Sequence, residues 1–314
     1  MNKNSKIYVA GHTGLVGSAL VRELKNQDYK NLILRTHKEL DLLDTEKVKT
    51  FFKEEKPEYV FIAAAIVGGI YANNTYPANF IYENLVIQTN IIHNAYLNHV
   101  KKLLFLGSSC IYPKYCPQPI KEEYILTGTL EPTNDAYAIA KLAGIKMCQS
   151  YNKQYCTQFI SVMPTNLYGI NDKFNPENSH VIPALIHNIH KAKVNKEKNI
   201  IVWGTGKPFR EFLYIDDMAS ACIFLLQNDF NFEIINVGSG EELTIKELAE
   251  NICKVVGYEG KLAFDITKPD GTPRKVLDTT KLKNLGWHPK INLIAGLQKT
   301  YEWYLSNISS LSVK

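Results

Sequence analysis

The length, composition and charge of the chain exclude several classes of protein. Its 314 residues are 45% hydrophobic and 21% charged, which is typical of a globular chain with a full core and excludes fibrous and disordered classes. The formal net charge of +5 comes from scattered lysines and arginines, which suits a phosphorylated ligand but not a nucleic-acid-binding surface.

The sequence also carries signals about location. No apolar stretch approaches the roughly 20 residues of a membrane-spanning helix, and the start MNKNSK lacks a signal-peptide core. No CxxC pair occurs among the cysteines, which favours reduced thiols in a reducing compartment and gives little support to a metal site. We therefore expect a cytoplasmic protein without a bound metal. The cysteines are Cys110, Cys116, Cys148, Cys156, Cys222 and Cys253.

The first half of the chain alternates predicted strands with predicted helices. Apolar runs predict strands over 6–10, 32–34, 59–65, 103–106 and 159–163, and helical patterns predict helices over 16–26, 80–97 and 136–151. Such alternation predicts a doubly wound α/β fold, in which helices cover both faces of a parallel sheet.

The pattern becomes less regular after Pro164, where connections rich in proline, glycine and asparagine begin. We predict a cofactor-binding domain over 1–168 and a smaller, mainly substrate-binding domain over 169–314. A predicted helix over 215–226 and a predicted strand over 233–237 would return to the first domain, within a segment around 214–237.

A glycine-rich turn of spacing GxxGxxG lies between the first strand and the first helix. Without Cβ atoms, its backbone can approach a pyrophosphate held at the helix N-terminus. The alternative is a turn needed only for packing, but its position directly after the first strand favours a dinucleotide. The predicted cofactor contacts are Gly11, His12, Thr13, Gly14, Leu15, Val16 and Gly17.

The end of the second strand indicates which dinucleotide binds. An NAD-binding chain usually has an acidic side chain there, whereas this strand continues into Arg35, His37 and Lys38. Cations suit the 2′-phosphate of NADP, and Asp41 is better placed for the adenine. The alternative, solvated surface charges, stays open.

Tyr137 and Lys141 are four residues apart, hence on one face of a predicted helix. A tyrosine with a pKa of about 10 is a poor acid–base group at neutral pH, and a neighbouring positive charge lowers that pKa. The YxxxK pattern is common by chance. Behind a glycine turn, and after a strand that ends in Ser108, it becomes specific for proton transfer.

Together these motifs resemble the short-chain dehydrogenase/reductase superfamily, in its extended, nucleotide-sugar-modifying branch with a Rossmann-type sheet. More narrowly, the chain resembles the GDP-L-fucose synthase family, in blocks that run in order from residue 10 to residue 275. The blocks are AGHTGLVGSAL, AAAIVGGIYANNTYPANFIYEN, LLFLGSSCIYPK, GTLEPTNDAYAIAKLAGIK, SVMPTNLYG, NSHVIPALI, REFLYIDDM and KPDGTPRK.

The resemblance implies an NADPH-dependent epimerase–reductase of a GDP-linked 4-keto sugar. In that family the 4-ketone acidifies the hydrogens on C3 and C5, so one base and one acid can invert both centres. The resemblance assigns the base to Cys110 and the acid to His180, and thiol and imidazole both titrate in a suitable range. The plainer alternatives are a buried apolar cysteine and a structural imidazole.

For the reduction at C4, the resemblance implies that Tyr137 protonates the developing alkoxide. Lys141 would hold the cofactor ribose and tune Tyr137, and Ser108 would hydrogen-bond the carbonyl. The other cofactor contacts implied by the resemblance are Leu42, Ala64, Leu106, Gly107, Ser109, Pro164, Asn166, Leu167 and His180.

Substrate contacts are expected mainly from the second domain, where the resemblance places the nucleotide against Trp203, Arg210 and Asp270. A role for Trp203 in the domain core is the alternative. Asn188 replaces a basic residue of the family, which leaves a related GDP-sugar such as a heptose open. Ser108 and Asn166 complete the expected substrate contacts.

Two further departures concern the cofactor, since Thr13 and His37 stand where family members have arginines that grip the 2′-phosphate. Arg35 and Lys38 could substitute. We therefore predict an NADPH-dependent C3/C5 epimerase and C4 reductase that gives GDP-L-fucose or a close relative. The alternatives are a C4 reductase alone and a non-catalytic NADP-binding regulator. The resemblance also implies a homodimer, without nucleic-acid or membrane partners.

Overall fold

The computed structural model describes residues 1–174, 179–230, 232–268 and 270–311. The strands in these ranges are β1 (Ile7–Ala10), β2 (Leu32–Ile33), β3 (Tyr59–Ile62), β4 (Lys102–Leu106), β5 (Phe159–Pro164), β6 (Asn166–Tyr168), β7 (Asn199–Trp203), β8 (Phe209–Tyr214), β9 (Ile234–Val237), β10 (Glu242–Thr244), β11 (Lys261–Asp265) and β12 (Arg274–Lys275). The α-helices are α1 (Leu15–Asn26), α2 (Thr45–Glu55), α3 (Ile70–Thr75), α4 (Pro77–Leu97), α5 (Asp135–Tyr155), α6 (Val181–Val194), α7 (Ile215–Gln227), α8 (Ile245–Val256), α9 (Thr280–Asn284) and α10 (Leu293–Leu311).

The main sheet has six parallel strands in the order β2-β1-β3-β4-β5-β9. This confirms the predicted doubly wound α/β fold, and the predicted strands and helices differ from the observed ones only by a few residues at their ends. The chain runs from β1 to β2 on one side of β1 and then crosses over to β3 on the other side. The carboxyl ends of β1 and β3 therefore border the crevice where such sheets bind ligands.

Alternation along β1 explains how helices cover both faces of this sheet. Ile7 and Val9 face a core cluster shared with α1 and α7. Tyr8 points the other way and packs on Phe51 and Phe52 of α2, with ring centroids 4.6 and 5.9 Å apart. Because successive strand residues face opposite sides, one short apolar run contributes to two cores.

The chain beyond residue 168 forms smaller sheets and also contributes to the main one. Strand β9 pairs with β5, whereas β8 pairs with β6, β10 and β12, and β7 pairs with β11. The division into domains at residue 168, with a return around 214–237, stays a prediction. Across the described ranges, every helix is too short or too polar to traverse a bilayer.

Helix ends follow the local sequence. Asp44 caps α2 by accepting a hydrogen bond from the Lys47 amide at 3.0 Å, and Thr244 and Glu247 form a reciprocal capping box on α8. Helix α1 differs, because it starts after Gly14 and has no side-chain cap. Its first-turn amides are therefore available to an external acceptor.

Candidate active site

The glycine turn between β1 and α1 forms a cradle that side chains would fill. Gly11 has φ +79°, and a Cβ added there would lie 2.7 Å from the Ala64 amide nitrogen. A Cβ on Gly17 would overlap the Gly11 carbonyl. The uncapped start of α1 faces this turn, and His12 Nδ1 is buried without a hydrogen-bond partner in the described residues. The cradle therefore fits the pyrophosphate of a dinucleotide.

Two of the cationic side chains after β2 already have acidic partners, which the sequence did not indicate. Arg35 forms an ion pair with Glu55 at 2.5 Å and would have to leave it to reach a phosphate. His37 lies 3.7 Å from Asp41, and Lys38 is exposed. The recognition of a 2′-phosphate by this segment stays a prediction.

Ser108, Cys110 and Tyr137 meet at the carboxyl end of β4. A short 3₁₀ turn, Ser109–Ile111, follows the strand, and the Cys110 amide donates to Ser108 Oγ at 3.2 Å. The phenol of Tyr137 comes from the first turns of α5 to within the influence of the Ser108 hydroxyl, which acts to lower its pKa. The structure thus places a hydroxyl, a thiol and a phenol within reach of one ligand.

Lys141 lies one helical turn beyond Tyr137 and is only 3% exposed. Its Nζ donates to the Leu106 carbonyl at 2.8 Å and lies 5.8 Å from the Tyr137 ring centroid. Burial lowers the pKa of Lys141 to about 7. Burial also raises the pKa of Tyr137, the charge of Cys110 adds to this, and the Ser108 hydrogen bond opposes it.

The expectation that Lys141 lowers the pKa of Tyr137 is therefore wrong for this structure. Desolvation of the phenolate is the larger effect, and it leaves Tyr137 a firmly protonated phenol. A protonated phenol suits the role of an acid better than that of a base.

The Cys110 sulfur has two polar neighbours that the sequence analysis did not assign. Asn134 Nδ2 lies 3.4 Å from Sγ, and Lys275 Nζ lies 3.6 Å from it. Burial by itself would raise the pKa of Cys110, but the charge of Lys275 and hydrogen bonds from Ser108, Lys275 and Asn134 outweigh burial and lower it. Both residues lie in blocks that carry the family resemblance, yet no sequence pattern pairs positions 110 and 275.

His180 is the N-cap residue of α6 and keeps access to solvent. Desolvation lowers its pKa, and the charges of Lys173 and Lys275 lower it further. Because Lys275 acts on both Cys110 and His180, the two predicted proton-transfer groups lie around one lysine.

Trp203 ends β7 with its side chain 72% exposed. The alternative of a tryptophan in the domain core is therefore wrong. Lys268 Nζ lies over the indole, 5.4 Å from the ring centroid, so the ring is held while its other face stays open. An open indole face can stack on a base.

Arg210 and Asp270 lie close to this tryptophan. Asp270 accepts hydrogen bonds from the Thr205 amide at 2.9 Å and the Thr205 hydroxyl at 2.7 Å, which ties the loop after β7 to the segment before β12. The charge of Arg210 acts on Asp270, and Arg210 Nη1 donates to the Phe209 carbonyl at 2.8 Å. The structure therefore gathers the predicted nucleotide contacts of this region.

Most of the other predicted contacts lie at or directly after strand ends, whereas Asn188 lies on a helix. Asn166 Nδ2 donates to the Glu211 carbonyl at 2.8 Å, and Asn188 is exposed on α6. Leu42 lies in the loop between β2 and α2, whereas the residues placed at or after strand ends are Ala64 after β3, Leu106, Gly107 and Ser109 at β4, Pro164 at β5 and Leu167 in β6. Their contacts with ligands stay predictions.

Comparisons with known proteins agree with this arrangement. The chain matches the NAD dependent epimerase/dehydratase family over residues 7–238. It is 63% identical over 308 residues to the putative GDP-L-fucose synthase 2 of Arabidopsis thaliana, covering 98% of this chain and 94% of that protein.

Solved structures are similar over the whole described fold. The GDP-L-fucose synthetase of Naegleria fowleri bound to NADP has a TM-score of 0.92 and 31% identity, covering 99% of this chain and 95% of that one. The GDP-mannoheptose C4 reductase of Campylobacter jejuni with NADP bound has a TM-score of 0.89 and 41% identity, covering 97% and 99%. The chain therefore belongs to the NAD dependent epimerase/dehydratase family and, within it, to the GDP-L-fucose synthase family.

Proposed function

We propose that the protein is an NADPH-dependent epimerase–reductase that converts a GDP-4-keto-6-deoxymannose-type sugar into GDP-L-fucose or a close relative. The observation that carries the proposal is the meeting of Cys110, Ser108 and Tyr137 at the end of β4. A base for carbon acids and an acid for an alkoxide are thereby within reach of one sugar ring. The identity of the sugar and of the nucleotide in this proposal comes from the names of the relatives.

NADP(H) is the cofactor, and the residues present fit it. The turn from Gly11 to Gly17 would hold the pyrophosphate, and Lys141 would hold the nicotinamide ribose. When bound, NADPH supplies the hydride that reduces the C4 carbonyl. The roles of the chain's own residues are proton transfers and positioning.

Epimerisation starts when the Cys110 thiolate removes a proton beside the ketone. The S–H bond forms, the C–H bond breaks, and the electron pair moves onto the ketone oxygen to give an enolate. His180 then gives a proton to the opposite face of the same carbon. The 4-ketone acidifies both neighbouring carbons, so the same pair serves C3 and C5 in turn, once Cys110 has released its proton to solvent and His180 has taken one from solvent between the two inversions.

Reduction needs a proton donor at the C4 oxygen, and Tyr137 fills this role. Its raised pKa keeps the phenol protonated until negative charge develops on that oxygen. Ser108 accepts a hydrogen bond from the Cys110 amide and acts on the Tyr137 phenol, and it would hydrogen-bond the carbonyl between them.

The test incubates the protein with NADPH and GDP-4-keto hexoses and heptoses in deuterated water and reads the products by NMR. We expect deuterium at C3 and C5, inverted configuration and one equivalent of NADPH oxidised. NADPH oxidation without deuterium at either carbon would replace the proposal with the reductase alone. No NADPH oxidation with any of these sugars would favour the non-catalytic regulator.

One observation favours the C4 reductase as the second candidate. Asn188, an exposed amide on α6, stands where the family has a basic residue towards the substrate phosphates. A reductase named for a mannoheptose is also similar over nearly the whole chain. In that case the sugar arrives already epimerised, and Cys110 has no proton to remove.

We further propose a homodimer in the cytoplasm. The helices α4 and α5 pack side by side, and their outer faces carry Tyr82 and Ile139, 65% and 46% exposed. Contiguous exposed apolar surface marks protein–protein contacts, which supports an interface on this pair of helices. Sedimentation should give a dimer, and Tyr82→Glu with Ile139→Glu should give a monomer. The six free thiols support a reducing compartment.

A further inference from the structure

The Cys110 sulfur is contacted from three separate parts of the chain. Ser108 belongs to the same loop, Asn134 precedes α5, and Lys275 belongs to β12. Of these neighbours only Lys275 carries a full charge, at 3.6 Å from Sγ. The thiol and its cation are thus far apart in sequence and adjacent in space.

The backbone of Lys275 is fixed on both sides. Strand β12 pairs with β8, with Lys275 opposite Arg210. The next residue, Val276, donates its amide to Gln118 Oε1 at 3.0 Å and accepts a hydrogen bond from the Ile120 amide at 2.8 Å. The ammonium group therefore approaches Cys110 from a strand whose position is set by hydrogen bonds.

Lys275 has no carboxylate partner within the ranges that the structure describes, although eleven ion pairs occur there. Its charge is therefore not cancelled by an aspartate or glutamate. The titratable groups around this pair are Tyr137, which Cys110 influences, and His180 and Cys116, which Lys275 influences. None of these is an anion at neutral pH in its ordinary state.

We propose that Lys275 is a positioning residue that holds the Cys110 sulfur as a thiolate. Strand β12, in the part of the chain expected to bind the substrate, thereby makes Cys110, in the turn after β4, able to act as a base. This role rests on the proposed function, because it gives Lys275 a task in epimerisation. The thiol proton leaves to solvent before the sugar binds. The thiolate then takes the proton from carbon, and Lys275 takes no part in that transfer.

The direction of the Cys110 pKa supports this role. Burial acts to raise the pKa of the thiol, and among the influences that lower it the charge of Lys275 is the largest. Removing that charge would leave burial dominant, and the sulfur would become a neutral thiol at pH 7. Lys275 also lies opposite Arg210 where β12 pairs with β8. Strand β8, which carries Arg210 towards the expected nucleotide site, therefore also fixes the position of the lysine beside Cys110.

The test measures alkylation of Cys110 by iodoacetamide against pH, without sugar or NADPH, and reads each cysteine peptide by mass spectrometry. In the parent protein we expect a midpoint below that of the exposed Cys156, which is the internal reference. In Lys275→Met we expect the Cys110 midpoint to rise by a pH unit or more, so that alkylation at pH 7 falls about 10-fold. Lys275→Arg should retain the parent midpoint.

Two controls separate this role from a merely structural one. Lys268→Met removes the cation over Trp203 and should leave the Cys110 midpoint unchanged. Far-UV circular dichroism and NADPH binding check that the Lys275 variants are folded. An unchanged Cys110 midpoint in folded Lys275→Met would overturn the proposal. A Cys110 midpoint at or above that of Cys156 in the parent protein would also overturn it, and this measurement needs no variant. Failure of deuterium exchange with a normal alkylation shift would count against the proposed function alone.

Discussion

Lys141 and Leu106 are joined by a hydrogen bond of 2.8 Å from the ammonium group to the backbone carbonyl at the end of β4. The bond places a buried cation between the active-site strand and α5. Burial lowers the pKa of Lys141 to about 7, so a charged Lys141 exists in the folded chain at a cost to folding.

The first prediction concerns this cost. Between about pH 7 and pH 10.5 the unfolded chain binds a proton at Lys141 that the folded chain does not, so this group lowers stability as the pH falls through that window. We expect Lys141→Met to raise the free energy of unfolding at pH 7 by about 1–2 kcal/mol, after the loss of the hydrogen bond to Leu106 is included. The gain should shrink towards pH 10.5. Urea unfolding at pH 7.0, 8.5 and 10 measures it, and a gain that is constant with pH would contradict it.

The second prediction concerns Tyr137. Tyr137→Phe removes the proton donor and keeps the ring that packs edge-on against Phe80 at 6.4 Å. We expect kcat for reduction to fall roughly 10²–10⁴-fold with unchanged NADPH affinity. Stopped-flow NADPH oxidation and fluorescence titration measure the two quantities. Reduction at the parent rate would remove the phenol from the reaction.

Cys110→Ser gives the third prediction. A serine hydroxyl is too weak an acid to be ionised beside Lys275, so hydrogen exchange at C3 and C5 should fall about 100-fold or more, while NADPH binding stays intact. Proton NMR in deuterated water follows both carbons. Cys148→Ser is the matched control, since Cys148 is fully buried on α5, about three helical turns beyond Tyr137. Exchange at the parent rate would exclude the thiol as the base.

The fourth prediction separates a binding tryptophan from a core one. Trp203 is 72% exposed, whereas Trp287 is 6% exposed and donates to Ser220 Oγ at 3.3 Å. Trp203→Ala should raise KM for the GDP-sugar about 10-fold with unchanged melting temperature. Trp287→Ala should instead cost about 3–5 kcal/mol of stability. Equal losses of stability in both variants would argue against a binding role for Trp203.

The fifth prediction concerns Glu211, a fully buried carboxylate that accepts the Gly240 amide at 2.7 Å and the Leu277 amide at 2.9 Å. In Glu211→Gln an NH₂ group must face one of these donors, which should cost about 1–3 kcal/mol. Because Leu277 lies two residues after Lys275, the substitution should also slow exchange more than reduction. Glu241→Gln, at an exposed position, is the control and should change neither stability nor rates.

The local features of the fold and of the candidate site could be predicted from the sequence. Alternating apolar runs predict the parallel sheet, and the glycine spacing predicts the turn that Gly11 and Gly17 form, because both depend on neighbours within a few residues. The pairing of Tyr137 with Lys141 on one helix face follows from helical periodicity alone. The protonation state of Tyr137 does not follow from periodicity, because it depends on burial, and burial depends on how the helices pack on the sheet.

The sequence by itself predicted the alternating strands and helices of the first half of the chain, the position of the cradle and, through the family resemblance, Ser108, Cys110 and Tyr137 as site residues. Only the tertiary structure decided that Lys275 lies 3.6 Å from the Cys110 sulfur and that Arg35 is paired with Glu55. It also decided that Trp203 is open to solvent. Local periodicity and turn chemistry act over a few residues, whereas charge, desolvation and exposure depend on which distant segments the packed sheet brings together.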